Sequence, residues 1–124
     1  MKNSKREITR LKKIIRYTEE LKRVIEIFKI ESYTDLDDEY IALSSITQTI
    51  TNINELKKAL NEQTLTDTPI FQAIKTGTTR NIAAHDYDSI NTYAVYNVMT
   101  RLISEENIKE IEAVIDGESN PIEQ

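Results

Sequence analysis

Glycine and proline are scarce in this chain of 124 residues, which contains two of each. Chains with many tight turns use far more of both, because glycine supplies positive φ angles and proline presets the turn. Residues that favour helices, such as Leu, Glu and Lys, are instead abundant. The scarcity of turn-forming residues therefore predicts an all-α fold of long helices.

Apolar residues recur every three or four positions in several stretches, as on one face of a helix. The helices expected from these stripes span residues 4–30, 38–60, 69–87, 89–103 and 104–117. A kink or break is expected in the middle of the third helix, at Gly77 and the threonine-rich residues around it, and Ser104 is expected to cap the last helix. The polar residues 61–68 are expected to form a loop, and Gly117 is the expected stop signal of the last helix. The pattern predicts a four- to five-helix up-down bundle in one domain, residues 1–117, with a flexible tail at 118–124.

Cysteine is absent, which excludes a disulfide framework, a thiolate metal site and a cysteine nucleophile. The charged N-terminus is not followed by the apolar segment of a signal peptide. No stretch approaches the roughly 20 apolar residues of a membrane span. These features lead us to expect a cytoplasmic protein that does not enter a membrane.

Charge is distributed unevenly along the chain, whose net charge is −5. Residues 1–31 hold ten Lys or Arg and five Asp or Glu, which gives them a local charge of +5. This basic region is interpreted either as a solvated helix face or as a surface that attracts RNA phosphates. The net acidity argues against a large constitutive nucleic-acid binder, although it leaves room for a local site.

Three aspartates, Asp35, Asp37 and Asp38, lie where residues 32–38 interrupt the helical pattern. They are interpreted either as an acidic metal cluster or as carboxylates that cap a helix and favour its dipole. Capping is the more common role of carboxylates that precede a helix.

His85 is the only histidine, and polar residues accompany it in the segment Arg80-Asn81-Ile82-Ala83-Ala84-His85-Asp86-Tyr87. At about 100° per residue, a helix would place Arg80, Asn81, His85 and Tyr87 on one broad strip. Asn81 and His85 are separated by four residues and would be neighbours on that strip. The small alanines between them would leave room for a ligand or a second backbone.

This group of residues suits RNA cleavage without a metal. Such cleavage needs a base for the ribose 2′-OH and an acid for the leaving 5′-oxygen, and His85 can perform either role near neutral pH. Arg80 can hold the phosphate with paired hydrogen bonds. Asn81 can orient the imidazole or bind a phosphate oxygen, and Tyr87 can donate a hydrogen bond or stack on a base. Two copies meeting across a two-fold axis would supply both acid and base; alternatively, water takes one role.

The pattern Arg80-x4-His85-x-Tyr87, with Asn81 after the arginine, resembles the R-x4-H-x-Y motif of HepT-like toxins in the HEPN superfamily. The resemblance extends along most of the chain. It includes a long first helix, the acidic turn at residues 33–38, the start Pro69-Ile70-Phe71 of a later helix, and a glycine shortly before the arginine.

The resemblance implies a HEPN-like helical bundle, a homodimer with paired motifs, and metal-independent RNA cleavage that needs no cofactor. It also implies a minimal nucleotidyltransferase antitoxin that silences the toxin by transferring AMP to Tyr87. Tyr93 and Tyr96 are interpreted as packing residues. Two other hypotheses stay open: a non-catalytic helical partner that binds nucleotide or supports a nucleotidyltransferase, and a plain helical interaction module with an accidental motif.

Overall fold

The first apolar stripe forms helix α1, Ser4–Phe28, in a computed structural model that describes residues 4–76 and 91–119. The helix ends two residues before the predicted boundary, because Lys29 adopts a left-handed conformation with a φ of 55°. The backbone N–H of Ile30 then donates to the carbonyl of Ile25 at 3.0 Å, a bond typical of helix C-termini.

The acidic interruption contains a short helix, α2, Tyr33–Asp38. One carboxylate oxygen of Asp35 accepts hydrogen bonds from the backbone N–H groups of Glu31, at 2.7 Å, and Ser32, at 3.2 Å. Asp35 therefore caps a helix, as one of the two interpretations predicted. Leu36 is fully buried and anchors α2 to the core.

Helix α3, Tyr40–Lys58, confirms the second predicted helix despite its threonine-rich middle. The hydroxyls of Thr47, Thr49 and Thr51 donate to backbone carbonyls three or four residues earlier, at 2.8–3.0 Å. Their polar groups are thereby satisfied inside the helix. The apolar stripe of α3 faces the core and includes Leu43, Ile46, Ile50 and Ile53.

The predicted loop at 61–68 is wrong over most of its length, because Glu62–Asp67 form helix α4. The side-chain oxygen of Asn61 caps this helix by accepting from the backbone N–H of Thr64 at 2.8 Å. The hydroxyl of Thr68 donates back to the carbonyl of Thr64 at 3.0 Å. These local side-chain bonds stabilise a helix too short to show an apolar stripe.

Helix α5, Pro69–Ala73, begins at the predicted proline but ends long before Tyr87. The side chain of Glu110 accepts from the backbone N–H of Ile70 at 2.8 Å. The rest of the predicted third helix, with its expected kink or break, belongs to residues 77–90 and lies outside the described residues.

The chain resumes with helix α6, Thr92–Leu102, and helix α7, Glu105–Ser119. Asn91 caps α6, and its side-chain oxygen accepts from the backbone N–H of Ala94 at 3.1 Å. Ser104 caps α7 as predicted, because its hydroxyl accepts from the backbone N–H of Asn107 at 3.2 Å. Gly117 does not stop α7, which continues to Ser119.

Side chains from α1, α2, α3, α5, α6 and α7 form one apolar core. Within it α1 packs on α3 and α7, and α2 packs on α6. Its largest fully buried side chains are Phe71, Leu11, Ile14, Leu21, Leu36, Ile46, Ile50, Ile53, Ile74, Met99, Leu102 and Ile111. Residues 4–76 and 91–119 contain helices and no strand, so the chain is all-α. No helix in these two ranges is long and apolar enough to cross a membrane.

Candidate functional site

The four residues of the predicted site, Arg80, Asn81, His85 and Tyr87, all belong to residues 77–90 and lie outside the described residues. Their mutual distances therefore stay predictions. The structure does describe the chain on both sides of this segment. The incoming flank is residues 72–76, and the outgoing flank is residues 91–96.

The incoming flank is anchored up to its last residue. The hydroxyl of Thr76 donates to the side-chain oxygen of Asn54 on α3 at 2.7 Å, and both residues are buried. Ile74 is fully buried in the core two residues earlier. Because a buried polar group is costly unless it is hydrogen-bonded, the bond between Asn54 and Thr76 favours one position of this flank.

Lys57 holds the same flank one helical turn further along α3. Its ammonium donates to the carbonyl of Ile74 at 2.5 Å and to the carbonyl of Gln72 at 3.3 Å. It also lies 5.1 Å from the centre of the Phe71 ring, within cation–π distance. These carbonyls lie at the C-terminal end of α5, where helix geometry leaves acceptors free and a cation is favourable.

Burial lowers the pKa of Lys57 from its usual value of 10.5, because desolvation penalises the charged form. The two carbonyl oxygens act in the opposite sense, since they bind the ammonium better than the amine. Lys57 thus ties the backbone of residues 72–74 to α3.

The outgoing flank is attached to α2 and to Glu31, which lies two residues before α2 begins. The hydroxyl of Thr92 donates to a carboxylate oxygen of Asp37 at 2.8 Å, and the hydroxyl of Tyr96 donates to the carbonyl of Glu31 at 3.1 Å. Tyr96 therefore has the packing role predicted for it, together with one hydrogen bond. Asp37 serves to hold α6 against α2.

Tyr93 forms an exposed aromatic pair with Tyr33 of α2. Their ring centres are 5.2 Å apart and the rings are nearly perpendicular, at 86°. Tyr93 is 55% exposed and Tyr33 is 40% exposed, so about half of the surface of this pair is accessible. Such rings can stack on bases or contact a second protein surface. Tyr93 follows Tyr87 by only six residues, which places this aromatic pair close in sequence to the predicted site.

The described residues contain no group of three or more His, Cys, Asp or Glu side chains that could hold a metal ion. Two of the three aspartates discussed above have structural partners: Asp35 caps a helix and Asp37 binds Thr92.

Sequence analysis did not identify Asn54 and Lys57. A signal was present, because Lys57 falls on the same face of α3 as Ile46, Ile50 and Ile53, where an apolar residue is expected. A polar residue in the register of an apolar stripe indicates a buried hydrogen-bonding role.

Comparisons of the chain with protein-family models, with curated proteins and with solved structures find no match. The resemblance to HepT-like toxins therefore depends on the motif and on the order of the helices.

Proposed function

We propose that the protein is a metal-independent endoribonuclease toxin of the HepT-like kind, with a HEPN-like helical bundle of four to five main helices. The observation that carries the proposal is the pattern Arg80-Asn81-x3-His85-x-Tyr87 in an all-α chain. The anchoring of both flanks supports it, because residues that catalyse a reaction must be held in place by their surroundings.

In the proposed reaction, His85 of one protomer takes the proton of a ribose 2′-OH. The 2′-oxygen then bonds to the adjacent phosphorus, and the bond from phosphorus to the 5′-oxygen breaks. The departing 5′-oxygen receives a proton from His85 of the partner subunit or from water, leaving a 2′,3′-cyclic phosphate. Arg80 binds the phosphate oxygens as their charge grows, and Asn81 orients the imidazole.

Two copies of the chain supply a second histidine, so the proposal includes a cytoplasmic homodimer. A minimal nucleotidyltransferase antitoxin would silence it by transferring AMP to the hydroxyl of Tyr87. The added group brings negative charge and bulk to a site suited to RNA phosphate. In this transfer the oxygen of the Tyr87 hydroxyl bonds to the α-phosphorus of ATP and loses its proton. The bond from that phosphorus to pyrophosphate breaks, and pyrophosphate leaves as the second product.

Cleavage of RNA by the purified protein in the presence of EDTA tests the proposal, beside His85→Ala and Arg80→Ala variants. Tyr93→Phe is a matched control that alters an exposed residue outside the motif. We expect wild type and the control to cleave. His85→Ala should lose at least about 100-fold, as is usual when acid–base catalysis is removed, and Arg80→Ala about 100-fold or more, as when a donor that stabilises developing charge is removed. Far-UV circular dichroism checks that each variant folds.

Mass spectrometry first establishes that the wild-type protein carries no AMP. If this unmodified protein does not cleave RNA, the nuclease proposal is contradicted and the hypothesis of a non-catalytic partner is favoured. Transfer of AMP is tested with a cognate nucleotidyltransferase and ATP. Wild type and Tyr93→Phe should gain the mass of one AMP, and Tyr87→Phe should not.

A further inference from the structure

The N-terminal part of α1 carries a concentration of positive charge that the proposed site does not use. Residues 5–16 hold six Lys or Arg and one carboxylate, a local charge of +5 in a chain whose net charge is −5. Some of these cations lie near acids: Lys12 lines a groove with Glu112 and Asp116, and Arg16 lies beside Glu19 and Glu20.

A second groove differs, because cations dominate its lining. It lies between α1 and α3, has a volume of about 470 Å³, and is lined by Lys5, Arg6, Thr9, Arg10, Lys13 and Leu56. We call it the basic groove. The side chains of Lys5, Arg6 and Lys13 are exposed and form no ion pair within the described residues.

Glu7 pairs with one cation of the basic groove and fixes its position. The Glu7 carboxylate is buried, and its two oxygens accept from Arg10 at 2.8 Å and from the backbone N–H of Asn61 at 3.0 Å. Arg10 also donates to the carbonyl of Ala59 at 3.0 Å. These two bonds hold the guanidinium of Arg10 in place, while Lys5, Arg6 and Lys13 stay available to a ligand.

The charges near the start of α1 contribute little to the stability of the helix. A helix dipole favours acids in the first turn and bases in the last turn. Here Lys5 and Arg6 share the first turn with Glu7, and the last turn contains no base. Because Glu7 already pairs with Arg10, the charges of Lys5, Arg6 and Lys13 are the ones that a bound anion could neutralise.

We propose that the basic groove binds the phosphate backbone of RNA with residues other than those of the Arg80–His85 motif. The identity of the strand as RNA rests on the proposed function. The composition of the groove favours nucleic acid over an acidic protein, because protein interfaces have an apolar or aromatic centre and few lysines. Among the described residues that line the basic groove, Leu56 is the one apolar residue and none is aromatic.

The test uses a fluorescent oligodeoxythymidylate of about 12 nucleotides, whose affinity is measured by anisotropy across a range of salt concentrations. This probe has no 2′-OH, so the proposed reaction cannot cleave it. The variant K5Q/R6Q/K13Q removes three cations of the basic groove. The matched control, K22Q/R23Q/K109Q, removes two lysines and one arginine from exposed positions elsewhere.

For a single strand, each phosphate contact contributes about 0.7 to the slope of log affinity against log salt. Losing three contacts should lower the slope by about 2 and weaken binding at 0.1 M salt by about 100-fold relative to wild type. The control should change affinity by less than about threefold, because distant charges are screened beyond about 10 Å. A K5R/R6K/K13R variant, which keeps the three charges, should retain the wild-type slope.

Equal weakening by the two triple variants would overturn the proposal, because it would indicate general attraction rather than a site. Unchanged affinity of K5Q/R6Q/K13Q would overturn it as well, and would leave an acidic protein as the occupant to test. The binding assay needs neither Arg80 nor His85, so its failure is distinguishable from failure of the nuclease proposal. If both proposals hold, the groove variant should raise KM for long RNA and leave kcat unchanged.

Discussion

Replacing Glu7 by glutamine tests the buried connection between the start of α1 and the junction of α3 with α4. The carboxylate accepts one bond from Arg10 and one from the backbone N–H of Asn61. An amide has one acceptor oxygen, so its NH₂ group must face one of these two donors. The substitution keeps the shape of the side chain while removing one hydrogen bond and the charge that strengthens the other.

A hydrogen bond to a charged group contributes about 1.5–3 kcal/mol. We therefore expect Glu7→Gln to lower the free energy of unfolding by about 2–3 kcal/mol, since the side chain of Glu7 is only 5% exposed. For a chain of this size the corresponding fall in Tm is about 8–12 °C. The control is Glu55→Gln, whose carboxylate is 59% exposed and lies 3.8 Å from Lys58. Exposed pairs of this kind contribute at most about 1 kcal/mol.

Urea unfolding followed by far-UV circular dichroism measures both variants at one protein concentration, so that any dimerisation affects them equally. A double-mutant cycle with Arg10→Gln isolates the coupling between Glu7 and Arg10. The reasoning would be refuted if Glu7→Gln and Glu55→Gln destabilised the protein equally, or if the cycle gave no coupling. A change in the m-value would indicate that the variant alters compactness instead.

Three other substitutions examine the incoming flank. Asn54→Ala should cost about 1–3 kcal/mol in urea unfolding, because it removes the buried acceptor of Thr76, whereas Asn52→Ala on the same helix should cost less. Phe71→Ala should cost about 3–5 kcal/mol by the same measurement, because the ring is fully buried. Lys57→Met provides a pH test. Between the lowered pKa of Lys57 in the folded chain and its usual value of 10.5, the unfolded chain binds more protons than the folded chain. The stability of wild type relative to Lys57→Met should therefore rise with pH in that interval. A difference that falls with pH would contradict the assigned direction.

The long helices could be predicted because their burial follows from a repeated pattern. The stripes of α1 and α3 each extend over many turns. Most apolar positions of the α3 stripe are buried, whereas Ile8, Ile15, Ile25 and Phe28 of the α1 stripe are partly buried against the core. Periodicity says less about where a helix ends, since a single backbone angle decides it. Helix α1 ends because Lys29 has a positive φ, and a lysine in the sequence gives no sign of that conformation. Conversely, Gly117 lies within α7, although glycine is common at helix ends.

The short helices were missed for a different reason. Helices α2 and α4 have six residues each, too few for a 3.6-residue period to stand out. Side-chain caps stabilise their ends: Asp35 accepts two backbone N–H groups at α2, and Asn61 accepts one at α4. In a sequence, both residues are equally compatible with a loop.

The predicted site could be proposed from the sequence, but the residues that hold the chain beside it could not. The spacing of the motif marks Arg80 and His85 as candidate site residues, yet it does not show which residues hold the neighbouring chain in place. Those partners, Asn54 and Lys57, lie on α3, about 20 residues away in sequence, and act mainly on backbone carbonyls or a neutral hydroxyl. Burying an amide and an ammonium costs stability that apolar residues at these positions would not, so their presence favours a role in fixing the flank. That argument links Lys57→Met to function as well as to stability: if the flank positions Arg80, this variant should lose cleavage activity at a temperature where it is fully folded.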